Sequence, residues 1–154
     1  MLYNTILAPI DGIVTTVDAA KGLIGVYVAP EDSHEIYSPI DGAIDRFETY
    51  HGRWIREMGS FRVHDQTRIG ALLINFEPLT LSIEVGHGKY ITDTVKIDAK
   101  EGEYLNVGQR IGHIVIGSYY ELHFRGGQRV AIHITNGQHV IGSQTVMADI
   151  YRSL

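Results

Sequence analysis

Ala8-Pro9-Ile10-Asp11-Gly12 returns later in the chain as Ser38-Pro39-Ile40-Asp41-Gly42, and each copy runs on into alternating apolar and polar residues, IVTTVD and AIDRFE. The physics of each copy is the same. Proline fixes its own φ and has no N–H to donate, so it closes one extended segment. Asp-Gly supplies a turn, and a period of two then places every second side chain on one face of a half-buried strand. A second echo pairs Gly108-Gln109-Arg110-Ile111 with Gly137-Gln138-His139-Val140, two more strand-to-strand turns of one type. Repeats of turn plus strand restrict the chain to β-hairpins.

The segments between the echoes are short and β-rich: LIGVYVA at 23–29, ALLINFE at 71–77, LTLSIEV at 79–85, TVKID at 94–98, HIVIGSYYELHF at 113–124 and RVAIHIT at 129–135. Seventeen glycines punctuate them. No window keeps a helical period with caps over three turns, and YHGRWIREMGSFR at 50–62 is too interrupted by glycine for a helix. The expectation is an all-β fold, a small barrel or barrel-sandwich hybrid built from pseudo-repeated β-hairpins. Without low-complexity tract or linker, residues 1–154 read as one domain.

Composition removes several functions. There is no cysteine, so disulfides, thiolate nucleophiles and cysteine metal sites are excluded. The formal net charge of −5 is spread along the chain, which leaves no basic footprint for nucleic acid. The eight histidines lack zinc-site spacing, so no metal is expected. MLYNTILAPIDG does not read as a signal peptide, and no apolar run approaches the roughly 20 residues of a membrane span. The expectation is a soluble, cytoplasmic protein; a homo-oligomer is left open.

One dipeptide stands out. Gly117-Ser118 falls inside what reads as the strand HIVIGSYYELHF. Glycine there marks a bulge or a place where something approaches the backbone closely, and serine beside it is chemistry or a bend. The wider pattern bears on this. Pro-x-Asp-Gly, then the Ala29–His34 run APEDSH, the second Pro-x-Asp-Gly, Val85-Gly86, and VGQRIGHIVIGS at 107–118 together resemble the phosphatidylserine decarboxylase family over nearly the whole chain.

That resemblance implies a site. In the family the serine of the Gly-Ser pair attacks the carbonyl of the preceding glycine, the chain splits, and the serine becomes a pyruvoyl group. Its carbonyl condenses with the substrate amine and accepts the electrons released as carbon dioxide leaves. Carried over, Gly117 is the acyl donor, Ser118 the pyruvoyl precursor and Asp11 the aspartate of the processing triad. The family motif Asp-Tyr-His-x-x-His is here Asp32-Ser33-His34-Glu35-Ile36-Tyr37. Its first histidine, associated with decarboxylation, is His34; the position of its second, which deprotonates the serine, holds Tyr37. A tyrosine is a poor base at pH 7, which makes His34 the better substitute. His123 would point to the other face of a regular strand, about 16 Å from Ser118. Tyr119 stands where the family usually has a small hydroxyl residue.

Simpler readings exist for each residue. Gly117-Ser118 reads alone as a strand bulge, Asp11 and Asp41 as ordinary turn residues, His34 as a loop histidine capped by Asp32, and Tyr37 as a barrel-lining aromatic. Two carrier families share part of the pattern. SPIDGAIDRFETYH is similar to the glucose-type phosphocarrier domain, with His51 matching one of its two histidines, but the phosphorylated one falls near Glu84. A lipoyl or biotinyl carrier needs a lysine at a hairpin tip, and none occurs between Lys21 and Lys89.

The expectation is therefore a pyruvoyl-dependent decarboxylase of phosphatidylserine or a related amino-acid-type substrate. Its cofactor would be the pyruvoyl group made from Ser118, and its partner a small-molecule or phospholipid substrate. The alternative is an unprocessed, inactive relative that binds an amine or a lipid head group. Arg53, Arg56, Arg68 and Lys89 are candidates to pair with the substrate carboxylate.

Overall fold

The alternation resolves into fourteen strands among the described residues of a computed structural model, which are 2–51, 68–86, 94–115, 119–126 and 128–151. The largest sheet contains β2 (Gly12–Asp18), β3 (Leu23–Tyr27), β5 (Gly42–His51), β6 (Arg68–Phe76), β7 (Leu79–Gly86), β9 (Tyr104–Leu105), β11 (Tyr119–Phe124) and β13 (His139–Val140). Its order is β13-β2-β3-β11-β7-β6-β5-β9. One smaller sheet contains β4 (Glu35–Tyr37), β10 (Arg110–Ile114) and β8 (Val95–Ile97); another contains β1 (Leu2–Leu7), β14 (Val146–Tyr151) and β12 (Arg129–Ile132). All the pairings are antiparallel. The all-β expectation holds, and among the described residues the strands form these three sheets without closing a barrel.

Period two decides the core. Tyr120, Leu122 and Phe124 of β11 share a face with Ile83, Leu81 and Leu79, their partners on β7, and all six are buried in the apolar cluster. Ile10 and Ile40, the isoleucines of the two Pro-x-Asp-Gly copies, are both fully buried in that cluster. Each copy therefore works as an anchor. Its isoleucine enters the core, at roughly 1.5–3 kcal/mol for burying a side chain of that size, and its aspartate stays at the rim.

One expected strand does not exist as a unit. HIVIGSYYELHF is split between β10, which ends at Ile114 in a three-stranded sheet, and β11, which begins at Tyr119 in the large one. Beyond β10, Val115 is exposed, and its N–H bonds to the Thr94 carbonyl at 2.7 Å. Gly117 and Ser118, the dipeptide expected inside that strand, lie outside the described residues.

Among the described residues no helix is long and apolar enough to cross a membrane. Most of the 50–62 stretch lies outside those residues.

Candidate active site

The two Asp-Gly turns do the same mechanical job. Asp41 Oδ1 accepts the Val107 N–H at 2.6 Å, while Ser38 exchanges backbone bonds with Gly108 and Gln109 at 2.8 Å each. Asp11 Oδ1 accepts the Gly142 N–H at 2.7 Å, while Ala8 exchanges backbone bonds with Ser143 and Thr145 at 2.8 and 2.9 Å. Each aspartate caps a facing turn. The turn facing Asp11 is thus 142–144, not the 137–140 stretch that looks like 108–111. Gly108 and Gly137 have φ of 83° and 87°, and Ser143 has φ of 62°, a left-handed conformation that costs a non-glycine residue on the order of 1 kcal/mol or more.

What distinguishes the first turn is its neighbour. Tyr37 donates its backbone N–H to the Pro9 carbonyl at 2.8 Å. A Cβ placed on Gly142 would stand 3.0 and 3.1 Å from Tyr37 Cδ2 and Cε2, and 3.3 Å from Asp11 Oδ1. Gly142 is therefore the common neighbour of the Asp11 carboxylate and the Tyr37 ring. Tyr120 reaches the same turn from the core, donating its hydroxyl to the Ile10 carbonyl at 2.9 Å. Burial holds that phenol well above its ordinary range; the bond to Ile10 opposes this and the Asp11 charge adds to it.

A second cluster forms around Ala29. Asp32 Oδ2 accepts the Ala29 N–H at 2.9 Å, and Asp32 Oδ1 accepts from His139 Nε2 at 3.1 Å. His34 Nε2 lies 3.0 Å from the Ala29 carbonyl. A carbonyl only accepts, so Nε2 carries a proton and Nδ1 keeps its lone pair in the neutral ring. Asp32 therefore organises the loop that presents His34, in addition to its bond to His139. Sequence reasoning misses His139 among the scattered histidines because its meaning comes from a partner far away in the chain.

The clusters share one end of the large sheet. β4 runs from beside His34 to Tyr37, and β13 pairs His139 and Val140 with Ile13 and Gly12. His139, Ile13, Tyr27, Tyr119 and Glu84 form one cross-strand row. Tyr119, the residue after Ser118, thus enters the sheet in the row of Ile13, two residues from Asp11. Gly117 and Ser118 themselves lie outside the described residues, as do Arg53, Arg56, Lys89 and the side chain of Arg68.

The face of β11 opposite the core is polar and still buried. Tyr119 donates its hydroxyl to Glu121 Oε2 at 2.8 Å, and His123 Nε2 lies 2.9 Å from Glu121 Oε1. A Cβ on Gly25 would collide with the Tyr119 hydroxyl, so glycine in β3 is what makes room for tyrosine at 119. Burial, and after it the Glu121 charge, pushes the Tyr119 phenol well above its usual range. His123 belongs to this opposite face, as its sequence parity implies.

These features define an all-β fold with a candidate site at one end of its large sheet, beside two pseudo-repeated turns. The chain matches the family profile of phosphatidylserine decarboxylase over residues 3–148 and belongs to that family. A phosphatidylserine decarboxylase proenzyme of Granulibacter bethesdensis is 28% identical over 94% of this chain, which spans 63% of that relative's length. Proteins with the same name in Burkholderia cenocepacia and Paramagnetospirillum magneticum are 26% and 25% identical; the matches take in 96% and 94% of this chain and 71% and 64% of those relatives. Among the described residues no group of three or more histidines and acidic residues could hold a metal ion.

Proposed function

We propose that the chain is a self-processing, pyruvoyl-dependent decarboxylase acting on phosphatidylserine or a related amino-acid-type substrate. In the processing step Ser118 Oγ attacks the Gly117 carbonyl, converting the amide to an ester. Loss of the Ser118 α-proton expels Gly117 as a carboxylate, and water then hydrolyses the dehydroalanine-derived imine, releasing ammonia. One water is consumed, and residue 118 is left as a pyruvoyl group at a new N-terminus. When formed, that group supplies an electron sink for the loss of carbon dioxide from an amine-bearing carboxylate.

The observation that carries this reading is the convergence of Asp11, Tyr37 and the loop presenting His34 at the end of the sheet where the strand after Ser118 begins. Those surroundings fit the group. Asp11 fixes the turn beside Tyr37, and Tyr120 ties β11 to the same turn through the Ile10 carbonyl. His34, with Nδ1 free to accept, is the base for the serine and the acid/base group for the substrate. Tyr37 in place of the triad histidine supports the second reading, an unprocessed relative that binds an amine or a head group without chemistry.

Incubation with vesicles containing phosphatidylserine tests the substrate. Release of carbon dioxide with formation of phosphatidylethanolamine, abolished in Ser118→Ala, is the expected result. Absence of turnover by a fully cleaved protein would overturn this substrate assignment and direct the search to soluble amino acids.

A further inference from the structure

The other end of β11 holds a cavity of about 500 Å³, within the usual range of small-molecule sites. Arg125, just beyond that strand, lies about 20 Å of extended chain from Tyr119. Asp41, Gly42, Asp45, Phe76, Glu77 and Arg125 are among its lining residues. The cavity arises where the pseudo-repeat is broken. In the first copy, a Cβ on Gly12 would stand 2.5 Å from both the Tyr27 carbonyl oxygen and Val26 Cγ1. In the second copy, a Cβ on Gly42 would meet nothing within 4 Å. The same motif is closed against protein once and open to a cavity once.

Its lining carries both signs of charge. The Arg125 guanidinium is held by neutral acceptors, Asn75 Oδ1 at 3.1 Å and Thr80 Oγ1 at 3.2 Å. Those two side chains are 3% and 6% exposed, so the arginine is propped by a built support and not by a carboxylate. Three of the lining residues are acidic. Glu77 lies in the turn between β6 and β7, Asp45 is paired with Arg46 at 2.8 Å, and among the described residues Asp41 is engaged through Oδ1, on Val107. With Asp45 shared with Arg46, the carboxylates of Asp41 and Glu77 still outnumber the Arg125 guanidinium and attract an ammonium group, and the guanidinium suits a phosphate or carboxylate.

We infer that this cavity binds a small zwitterion, its ammonium group among Asp41, Asp45 and Glu77 and its anionic group on Arg125. The site is independent of the decarboxylase reading, since it uses none of the residues assigned to that chemistry. The test is titration of the purified full chain with O-phosphoethanolamine, ethanolamine and inorganic phosphate, followed by calorimetry and by amide NMR shifts. The zwitterion is expected to bind at least about tenfold more tightly than either half-probe, with shifts at Gly42, Gly102 and Arg125. Arg125→Met and Gly42→Phe should each weaken it about tenfold or more, and Tyr37→Phe should leave it unchanged. Glu77→Gln, at an exposed position, carries the same test should Gly42→Phe fail to fold. Absence of saturable binding, a half-probe binding as tightly as the whole, or shifts confined to Asp11, His34 and Tyr37 would each overturn the assignment.

Discussion

Tyr37→His is expected to raise the rate of cleavage between Gly117 and Ser118 by about a hundredfold at pH 7, the lower end of what a positioned general base contributes. The backbone at 37 is pinned by its bond to the Pro9 carbonyl, and its ring lies against Gly142 beside Asp11 Oδ1. An imidazole is smaller than a phenol, so it enters that space without a new clash. Asp11 would then lie beside an imidazole, in the role of an aspartate that orients a histidine toward a serine. Imidazole is largely available as a neutral base at pH 7, whereas an ordinary phenol still holds its proton. The check is a time course of chain cleavage, with Tyr37→Phe as the packing control. The phenylalanine variant should keep the native rate if, as proposed, His34 is the base in the native chain. Equal rates for the native chain, Tyr37→His and Tyr37→Phe, all of normal stability, would remove position 37 from the proton path.

Gly12→Ala is expected to destabilise the protein by about 2–4 kcal/mol, at or somewhat above the usual cost of overpacking, and Gly42→Ala by less than about 0.5 kcal/mol. The new methyl at 12 would be driven against the Tyr27 carbonyl and Val26 Cγ1, both on the paired strand β3. Neither is the loose end of a flexible side chain, so β2 and β3 must separate. At 42 the same methyl enters open cavity. For a chain of 154 residues the contrast should read as a fall in Tm of about 4–16 °C at position 12 and about 2 °C or less at 42. Equal losses at the two positions would mean that the copies are packed alike, and would undercut the cavity as well.

These glycines also show how far the sequence can be read. The echo APIDG and SPIDG makes the two anchors legible, and the period-two alternation makes the strands legible, because backbone geometry and apolar burial act locally. It cannot say which copy faces a cavity. That difference comes from β3, where Val26 and the Tyr27 carbonyl close over Gly12 and nothing equivalent closes over Gly42. The single strand expected at 113–124 fails for a related reason: β10 and β11 both alternate, and the change of sheet between them is set by their partners, β4 and β8 for one and β3 and β7 for the other. The turn facing Asp11 is hidden because Ser143 occupies the left-handed position that glycine marks at 108. Tyr119 is visible as a departure from the family pattern, but its accommodation by Gly25 needs the register of β3 against β11. Asp11, His34 and Tyr37 follow from motif order, and their gathering at one end of the sheet is what the three-dimensional structure adds.

Conversion of Ser118 to a pyruvoyl group is read from the intact mass of the purified protein under denaturing conditions. Two chains are expected, residues 1–117 and 118–154, the second lighter than a serine-headed peptide by one ammonia, with Ser118→Ala remaining whole. A single species at 17.2 kDa after prolonged incubation across a range of pH would contradict it and leave a binding protein on a decarboxylase fold.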